Sequence, residues 1–350
     1  MKSGETPSLR EVADKVGVSV STVSRALGDS DRVSVLTKQA VRAAIDELTT
    51  RGVAQSTSAA TRPMIGVTLS HFVEGPYLSS LEATIEEVMV GVEIASLQAG
   101  YIPYLWQQSG LLQTEASAPF FAAVSGVIMN GGVVDPRVLT AIQERGLPAV
   151  IIGGHVPDAG LSSVAADSAG GMAALTRHLI ALGHRRIALV NGPAETYTSF
   201  EKRAGYLAAL TEAGIAADPA LIVARNGYEG FTAPVAEALT EALLDRPDRP
   251  TAILYAIDGM AAAGVQLCQR RGLHVPNDLS IAGFYDGADA RDCHPALTTV
   301  RVNRVAWGEV AAEMLLTQFA GGNGRTMRIL LPTELIVRDS TAPVRERSAA

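Results

Sequence analysis

From residue 64 onward, short apolar runs alternate with longer stretches of helical pattern. The apolar runs cover residues 65–69, 126–129, 149–152, 187–190, 252–254 and 280–283. Such alternation is typical of βαβ units, in which helices cover both faces of a parallel sheet. This region holds about 275 residues, which is more than a single core of this kind normally contains. The pattern therefore predicts an α/β body of two doubly wound parallel-sheet subdomains.

Charge is divided unevenly along the chain. The formal net charge is −7, but residues 1–62 hold nine basic and seven acidic residues, for a net charge of +2. The remaining residues hold 20 basic and 29 acidic ones, for a net charge of −9. A mildly basic end on an acidic body is typical of a protein whose N-terminal part alone meets a polyanion.

Three short helical patterns follow one another in the first 50 residues. The first begins after the capping residue Ser8 and stops at Gly17, and the second covers residues 20–27 after the capping residue Ser19. The third covers residues 34–50. Because only three residues separate the first two helices, the spacing predicts an all-α helix-turn-helix.

The outward face of the second helix is polar. It carries Ser21, Thr22, Ser24 and Arg25, whose hydroxyls and guanidinium can reach phosphates and base edges. The alternative is a small helical bundle with a solvated polar face. The spacing of the turn favours DNA binding over that alternative.

Residues 12–27, VADKVGVSVSTVSRAL, resemble the headpiece of LacI/GalR transcriptional repressors, whose pattern is VAxxAGVSxxTVSRxL. Residues 33–48 are similar to the third helix of that headpiece. The resemblance implies that Val20, Ser21 and Arg25 face the major groove of operator DNA. It also implies that Ser8, Thr22, Ser24 and Ser34 lie near the DNA backbone.

The linker after the headpiece departs from the family pattern. Members usually carry a hinge helix whose leucine enters the minor groove, and residues 53–55 are similar to the start of that helix. The resemblance therefore implies DNA contacts from Ala54 and Thr57, with Thr57 in the place of the leucine. Threonine is a poorer wedge than leucine, so operator bending is expected to be weaker or to be made in a different way. A flexible Ser/Ala/Thr linker is the alternative.

Residues 178–188, 205–210 and 295–300 resemble the bodies of the same family, which share the periplasmic sugar-binding fold. The resemblance implies that the chain crosses between the subdomains near Asp167, Pro295 and Arg325. The implied parts are a headpiece (1–50), a hinge linker (51–62), an N-subdomain (63–166 and 296–325), a C-subdomain (167–295 and 326–340) and a flexible tail (341–350). Small ligands bind between such subdomains, at the carboxyl ends of the strands.

The positions that hold the effector in this family are mostly altered. Lys202 lies where an arginine is usual, with Arg203 beside it, and Ile257 replaces an asparagine, whereas Asp258 is kept. Tyr285 replaces an aspartate and is followed by Asp286, and Tyr228 matches the aromatic residue that stacks on the sugar ring. Further candidates for the wall of the effector cleft are Ser70, His71 and Phe72. These changes remove hydrogen-bond partners that a bare sugar needs. They favour a sugar acid, a phosphorylated or substituted sugar, or a nucleoside. The alternative is a repacked wall around a plain sugar.

The segment from Pro76 to Gly91 is about eight residues longer than the family spacing. Its Glu82, Glu86 and Glu87 are more typical of a solvated face than of a metal site.

After residue 337 the chain has no apolar heptads, which predicts a homodimer without a tetramerising coiled coil.

No enzyme motif is present: the sequence has no G-x-G-x-x-G opening a helix, P-loop, G-x-S-x-G or H-E-x-x-H. Catalytic residues, metals and cofactors are therefore not expected.

The two cysteines, Cys268 and Cys293, are expected to be reduced, and the absence of an apolar signal segment predicts a cytoplasmic protein without a membrane partner. The expected partners are double-stranded operator DNA, a small effector and a second copy. A cytoplasmic ligand-binding protein without a regulatory role is the alternative.

Overall fold

The computed structural model describes residues 9–27, 37–38, 40–41, 44, 62–69, 79–107, 114–130, 136–156, 159–194, 196–321 and 325–344. The chain forms two compact units, residues 1–62 (the headpiece unit) and residues 63–350 (the body). In the headpiece unit the two predicted helices are present, α1 (Leu9–Val16) and α2 (Val20–Leu27). Of the third predicted helix, residues 37, 38, 40, 41 and 44 are described and are helical.

The body contains the predicted alternation of strands and helices. In its first part lie β1 (Met64–Leu69), α3 (Ser79–Gln98), β2 (Ile102–Gln107), α4 (Thr114–Ala123), β3 (Val124–Asn130), α5 (Pro136–Glu144), β4 (Ala149–Ile152) and β5 (Ser162–Ala166). Next come α6 (Ser168–Ala181), β6 (Ile187–Val190), α7 (Tyr197–Glu212), β7 (Ile222–Val223), α8 (Ala233–Leu244), β8 (Ala252–Tyr255), α9 (Asp258–Arg270), β9 (Ser280–Ala282) and α10 (Ala288–Asp292). The last elements are β10 (Thr299–Val302), α11 (Arg304–Phe319), β11 (Arg328–Leu331) and β12 (Thr333–Ile336).

Two parallel sheets form the cores of the N- and C-subdomains. The first has the strand order β11-β5-β4-β3-β1-β2, and the second has the order β7-β6-β8-β9. Every residue of β4, β6 and β8 is buried, as expected for strands covered by helices on both faces. The predicted α/β fold with an all-α headpiece is confirmed.

Two of the three predicted crossings between the subdomains, those near Pro295 and Arg325, lie elsewhere on the chain. The chain leaves the first sheet at Asp167, the residue that caps α6. β10 then pairs with β12 as an antiparallel ribbon, and Arg301 of this ribbon bridges Tyr285 next to β9. The second crossing therefore lies between β10 and α11, and not near Pro295. The third crossing is predicted near Arg325, but β11 pairs with β5 as far as Leu331. It therefore lies at Pro332, because the parallel ladder keeps 328–331 in the N-subdomain.

The prediction of a flexible tail from residue 341 is wrong for residues 341–344. The hydroxyl of Thr341 lies 3.0 Å from Nε2 of His178, and the backbone N–H of Val344 donates to the carbonyl of Leu182 over 2.9 Å. The carbonyl of Ala342 lies 3.0 Å from Nε2 of His184. These bonds fix the segment on the C-subdomain, and residues 345–350 lie outside the described residues.

His184 makes the stability of this attachment depend on pH. The ring is 2 % exposed, and burial lowers its pKa more than the carbonyl of Ala342 raises it. Because Nε2 donates to that carbonyl, Nδ1 is the acceptor for the hydroxyl of Thr251, 2.9 Å away. The unfolded chain thus binds a proton more readily than the folded one, and stability is lost as the pH falls below about 6.5.

We expect the melting temperature to fall between pH 7 and pH 5, and the fall to be smaller in a His184→Gln variant. Differential scanning fluorimetry across this range measures both slopes. Equal slopes in the two proteins would show that His184 does not carry the effect. The comparison uses slopes, since the variant can also start from a lower stability.

The longest helices of the N-subdomain, α3 and α11, cross at two glycines. A Cβ on Gly91 would lie 1.9 Å from the carbonyl oxygen of Val305, and a Cβ on Gly308 would lie 2.1 Å from that of Val88. These contacts involve rigid backbone, so the crossing cannot accommodate a methyl group without moving a helix.

Gly91→Ala is therefore expected to lower the free energy of unfolding by about 2 kcal/mol, although alanine favours a helix more than glycine does. Urea unfolding measures the change. The matched control is Glu93→Ala, which shortens an exposed side chain on the same helix. An unchanged or raised midpoint in Gly91→Ala would contradict the close approach.

Candidate functional site

The turn between α1 and α2 sets the direction of the second helix. Gly17 has φ +72°, a conformation that glycine adopts without strain. The N–H of Val18 donates to the carbonyl of Ala13 over 3.0 Å. The carbonyl of Ser19 then accepts from Thr22 and Val23, at 2.8 and 3.1 Å, so α2 begins directly after a three-residue turn.

Buried side chains fix which face of α2 points outward. Val23 and Ala26 of α2 pack with Val12 and Ala13 of α1, and with the buried Val41 and Ala44. All six are at most 4 % exposed. The opposite face of α2 is exposed and carries Val20, Ser21 and Ser24, and Leu27 is exposed at the end of the helix.

This exposed face combines hydroxyls with an apolar group. The hydroxyl of Ser19 lies 2.8 Å from those of both Ser21 and Thr22, and Thr22 is half-buried. Val20 is 43 % exposed. In the major groove, hydroxyls can pair with base edges or phosphates, and an exposed apolar side chain can contact the methyl of thymine.

The structure places only some of the predicted DNA-contacting residues. Val20, Ser21 and Ser24 share the exposed face, with Thr22 at its border. The backbone of Arg25 is helical, but its side chain lies outside the described part of the chain. Ser8, Ser34, Ala54 and Thr57 also lie outside the described residues.

In the body, Lys202 and Tyr285 of the C-subdomain contact each other. Lys202 lies in α7 and is only 1 % exposed. Its Nζ donates to Oη of Tyr285 over 3.1 Å. The same Nζ lies 4.5 Å from the ring centroid of Phe284 and 4.4 Å from that of Tyr285. Two aromatic rings and one hydroxyl therefore surround the ammonium group.

Tyr285 and Asp286 form a strained turn after β9. Their φ angles are +104° and +57°, which side-chain-bearing residues rarely adopt. The carboxylate of Asp286, 4 % exposed, accepts from Arg301 at 2.8 Å and from Arg338 at 2.5 Å. These two arginines lie on β10 and just after β12, so Asp286 ties the turn to the crossing ribbon.

Asp286 is thus placed differently from the expectation. The resemblance implies a contact with the effector, but both of its oxygens are engaged by arginines. Asp258 is engaged in a similar way, because its oxygens accept from the hydroxyl of Thr299 at 2.6 Å and from the N–H of Gly287 at 2.9 Å. The carboxylates of both aspartates are thus bonded to other groups of the protein in this structure.

Burial changes the acidity of Asp258. The side chain is fully buried at the start of α9, and this burial raises its pKa to about 7, although the bonds from Thr299 and Gly287 act in the opposite direction. The neighbouring Ile257 is 4 % exposed. The place of the family asparagine is thus a packed apolar position.

Arg304, which the sequence reasoning missed, joins Tyr285 to the N-subdomain. Its Nη1 donates to Oε2 of Glu87 over 2.9 Å, and its Nη2 donates to the carbonyl of Tyr285 over 3.3 Å. The guanidinium is 5.4 Å from the Tyr285 ring centroid. Glu87 is predicted on a solvated face; it is instead half-buried and paired with this buried arginine.

A second contact between the subdomains lies at the start of α7. The guanidinium of Arg328, in β11, is 5.0 Å from the ring centroid of Tyr197 and 3.9 Å from a carboxylate oxygen of Glu201. The ring of His155 lies 6.3 Å from that of Tyr197. Burial, with the nearby charge of Asp167, raises the pKa of Glu201. Arg328 of the N-subdomain thus contacts α7, the helix that carries Lys202.

The remaining predicted effector residues are not brought into this group. Arg203 is exposed on α7, because successive residues on a helix do not share a face. Ser70, His71, Phe72 and the side chain of Tyr228 lie outside the described residues.

Neither metal binding nor thiol chemistry is indicated by the described residues. Within their ranges, no three His, Cys, Asp or Glu side chains are grouped so that they could hold a metal ion. Nor does any described helix have the length and apolar character needed to cross a bilayer. Cys268 and Cys293 are free thiols, and burial raises the pKa of each to about 11, which makes both poor nucleophiles.

Comparison with known proteins identifies the class. Residues 8–49 match the family described as bacterial regulatory proteins, lacI family, and residues 176–341 match the periplasmic binding protein-like domain. The transcriptional regulator CelR of Thermobifida fusca is 31 % identical, over 97 % of this chain and 100 % of that protein. The chain therefore belongs to the LacI family of bacterial transcriptional regulators.

Solved structures agree along almost the whole chain. The CelR–cellobiose complex is 29 % identical, has a TM-score of 0.71, and covers 95 % of this chain and 99 % of its own. The lac repressor dimer bound to operator and the anti-inducer ONPF is 27 % identical, has a TM-score of 0.68, and covers 97 % and 100 %. Both structures agree with the assignment of this chain to the LacI family of transcriptional regulators.

Proposed function

We propose that this protein is a cytoplasmic repressor that binds operator DNA as a homodimer and changes its DNA affinity when a small effector enters the cleft. The observation that carries the proposal is that α2 is amphipathic. One side is buried against α1, and the other exposes Val20, Ser21 and Ser24. The lac repressor dimer on its operator supports this use of the helix.

The proposed DNA contacts follow from that orientation. Val20, Ser21 and Arg25 read bases, whereas Ser8, Thr22, Ser24 and Ser34 approach phosphates, and Ala54 and Thr57 lie along the minor groove. Two heads related by twofold symmetry require a pseudo-palindromic operator, with half-sites about one helical turn apart.

The proposed effector site lies between the subdomains around Lys202 and Tyr285. The CelR–cellobiose complex supports a sugar or sugar derivative as the class of ligand. A ligand that binds one arrangement of the subdomains more tightly shifts the population toward it by its differential affinity. If that arrangement separates the heads from the operator spacing, the ligand releases DNA.

Footprinting on the DNA that flanks the protein's own coding region tests the proposal. The full chain is expected to protect a discrete site, with an affinity that falls steeply between 50 and 200 mM salt, as expected for about 6–10 phosphate contacts. A chain reduced to residues 63–350 is expected to protect nothing. A ligand-binding protein without a regulatory role would give the same result with and without the headpiece unit.

A further inference from the structure

We infer that the effector carries an acidic group, a carboxylate or a phosphate, which binds the ammonium of Lys202. This inference rests on the proposed function, because it assigns the chemical class of ligand to the same cleft. It narrows the choice among neutral sugars, sugar acids, sugar phosphates and nucleosides. Its basis is the surroundings of one buried cation.

The ammonium of Lys202 uses few of its hydrogen-bond donors. It has three N–H donors, and the protein offers it one acceptor, Oη of Tyr285. The faces of Phe284 and Tyr285 supply cation–π attraction at 4.5 and 4.4 Å. A cation that is 1 % exposed has lost most of its water, and such charges are normally paired with an anion.

No described carboxylate is available to supply that anion. The nearby acids already have other partners: Asp286 is held by two arginines, Asp258 by a hydroxyl and a backbone N–H, and Glu87 by Arg304. Among the described residues, none of these oxygens comes within ion-pair distance of Lys202. The described part of the protein therefore supplies an aromatic hydroxyl and two aromatic rings, but no carboxylate, to this buried ammonium group.

A second cation beside Tyr285 strengthens the preference for an anion. Arg304 is 2 % exposed, and its Nε has no hydrogen-bond partner among the described residues. Its guanidinium lies 5.4 Å from the Tyr285 ring. The charge of Arg304 is paired with Glu87, so what it adds beside the ring is one unused N–H donor. Acidic oxygens accept from such donors in short, charge-assisted bonds, and the ring offers an apolar surface to the carbon skeleton.

Neutral sugars fit these surroundings less well. A neutral hydroxyl can accept one bond from Lys202, but it leaves the charge uncompensated. The family asparagine that would pair with further hydroxyls is replaced by the buried Ile257. An acid therefore gains more than its neutral partner from the same position.

Matched pairs of ligands test the inference on the natural full-length protein. Isothermal titration at pH 7 compares D-glucuronate with D-glucose, and D-galacturonate with D-galactose. D-glucose 6-phosphate forms the phosphate arm, and inorganic phosphate measures binding of an anion alone. We expect at least one sugar acid or sugar phosphate to bind at least about tenfold more tightly than its neutral partner, and more tightly than inorganic phosphate.

Variants then assign the effect to Lys202. Lys202→Met keeps the apolar stem and is expected to weaken binding of the acid at least about tenfold, whereas Lys202→Arg keeps the charge and is expected to retain most of it. Arg177→Met removes one exposed charge from the same subdomain and serves as the matched control. If Lys202→Met does not fold, the comparison of acids with neutral partners still tests the inference.

Several results would overturn the inference. The first is that neutral sugars bind with the same affinity as the corresponding acids, and the second is that none of the acids binds. The third is that Lys202→Met still binds the acid whereas Arg203→Met does not. DNA binding by the same samples without ligand separates this failure from a failure of the proposed function. If the protein binds its DNA site and neutral glucose releases it, the proposed function stands and only the inference of an acidic effector is wrong.

Discussion

Ser24→Asp is expected to weaken operator binding at least about 100-fold, which corresponds to about 2.7 kcal/mol. Ser24 is exposed on α2, on the side opposite the buried Val23 and Ala26. A carboxylate at this position would approach DNA phosphates at the interface, and a like-charge contact there costs several kcal/mol. Because the side chain is exposed, the melting temperature should change little. Fluorescence anisotropy with a labelled operator measures the affinity.

A matched charge on the body separates contact from long-range repulsion. Thr211 is exposed near the end of α7, and Thr211→Asp changes the net charge by the same amount. We expect this control to bind operator within about threefold of the natural protein, since a remote surface charge is screened by salt. Equal weakening in both variants would mean that net charge, and not the face of α2, controls DNA binding.

Asp286→Ala is expected to lower the free energy of unfolding by about 3 kcal/mol. Its carboxylate, 4 % exposed, pairs with Arg301 and Arg338, and removing one member of a buried ion pair leaves charge uncompensated. The φ of +57° adds strain when alanine replaces aspartate. Urea unfolding followed by circular dichroism measures the change.

Two further substitutions divide this effect into its parts. Asp286→Asn keeps a side chain that tolerates the left-handed backbone, so it should report mainly the loss of charge and should cost less than alanine. Asp292→Ala removes an exposed carboxylate from the adjacent helix and is expected to cost less than about 0.5 kcal/mol. If all three variants unfold alike, the clamp on the crossing ribbon is not a significant source of stability.

The parts of the fold that depend on local pattern could be predicted from the sequence. The turn at Gly17 and the apolar residues of α1 and α2 specify the helix-turn-helix within residues 9–27, and the apolar runs became β1, β3, β4, β6, β8 and β9. β5 could not be found in the same way, because it reads SSVAA. It is buried nonetheless, and the hydroxyl of Ser162 accepts from the N–H of Met327 in the neighbouring segment.

The organisation of the cleft could be predicted only in part. Lys202 and Tyr285 were found by resemblance, and the structure brings them together. The arginines that fix this region could not be found, because Arg301 and Arg338 lie 15 and 52 residues from Asp286, and Arg304 lies 217 residues from Glu87. No local pattern marks such pairs. The same reasoning explains the third crossing, which depends on a ladder between β11 and the distant β5.

Selection from a random library of double-stranded DNA tests the central claim most directly, because the protein itself then chooses the operator sequence. The full-length protein is expected to enrich one pseudo-palindromic sequence, with half-sites about 10 base pairs apart, and Ser24→Asp is expected to enrich nothing above background. Enrichment of no common sequence by the natural protein, or of the same sequence by both proteins, would contradict the assignment of α2 as the element that reads DNA.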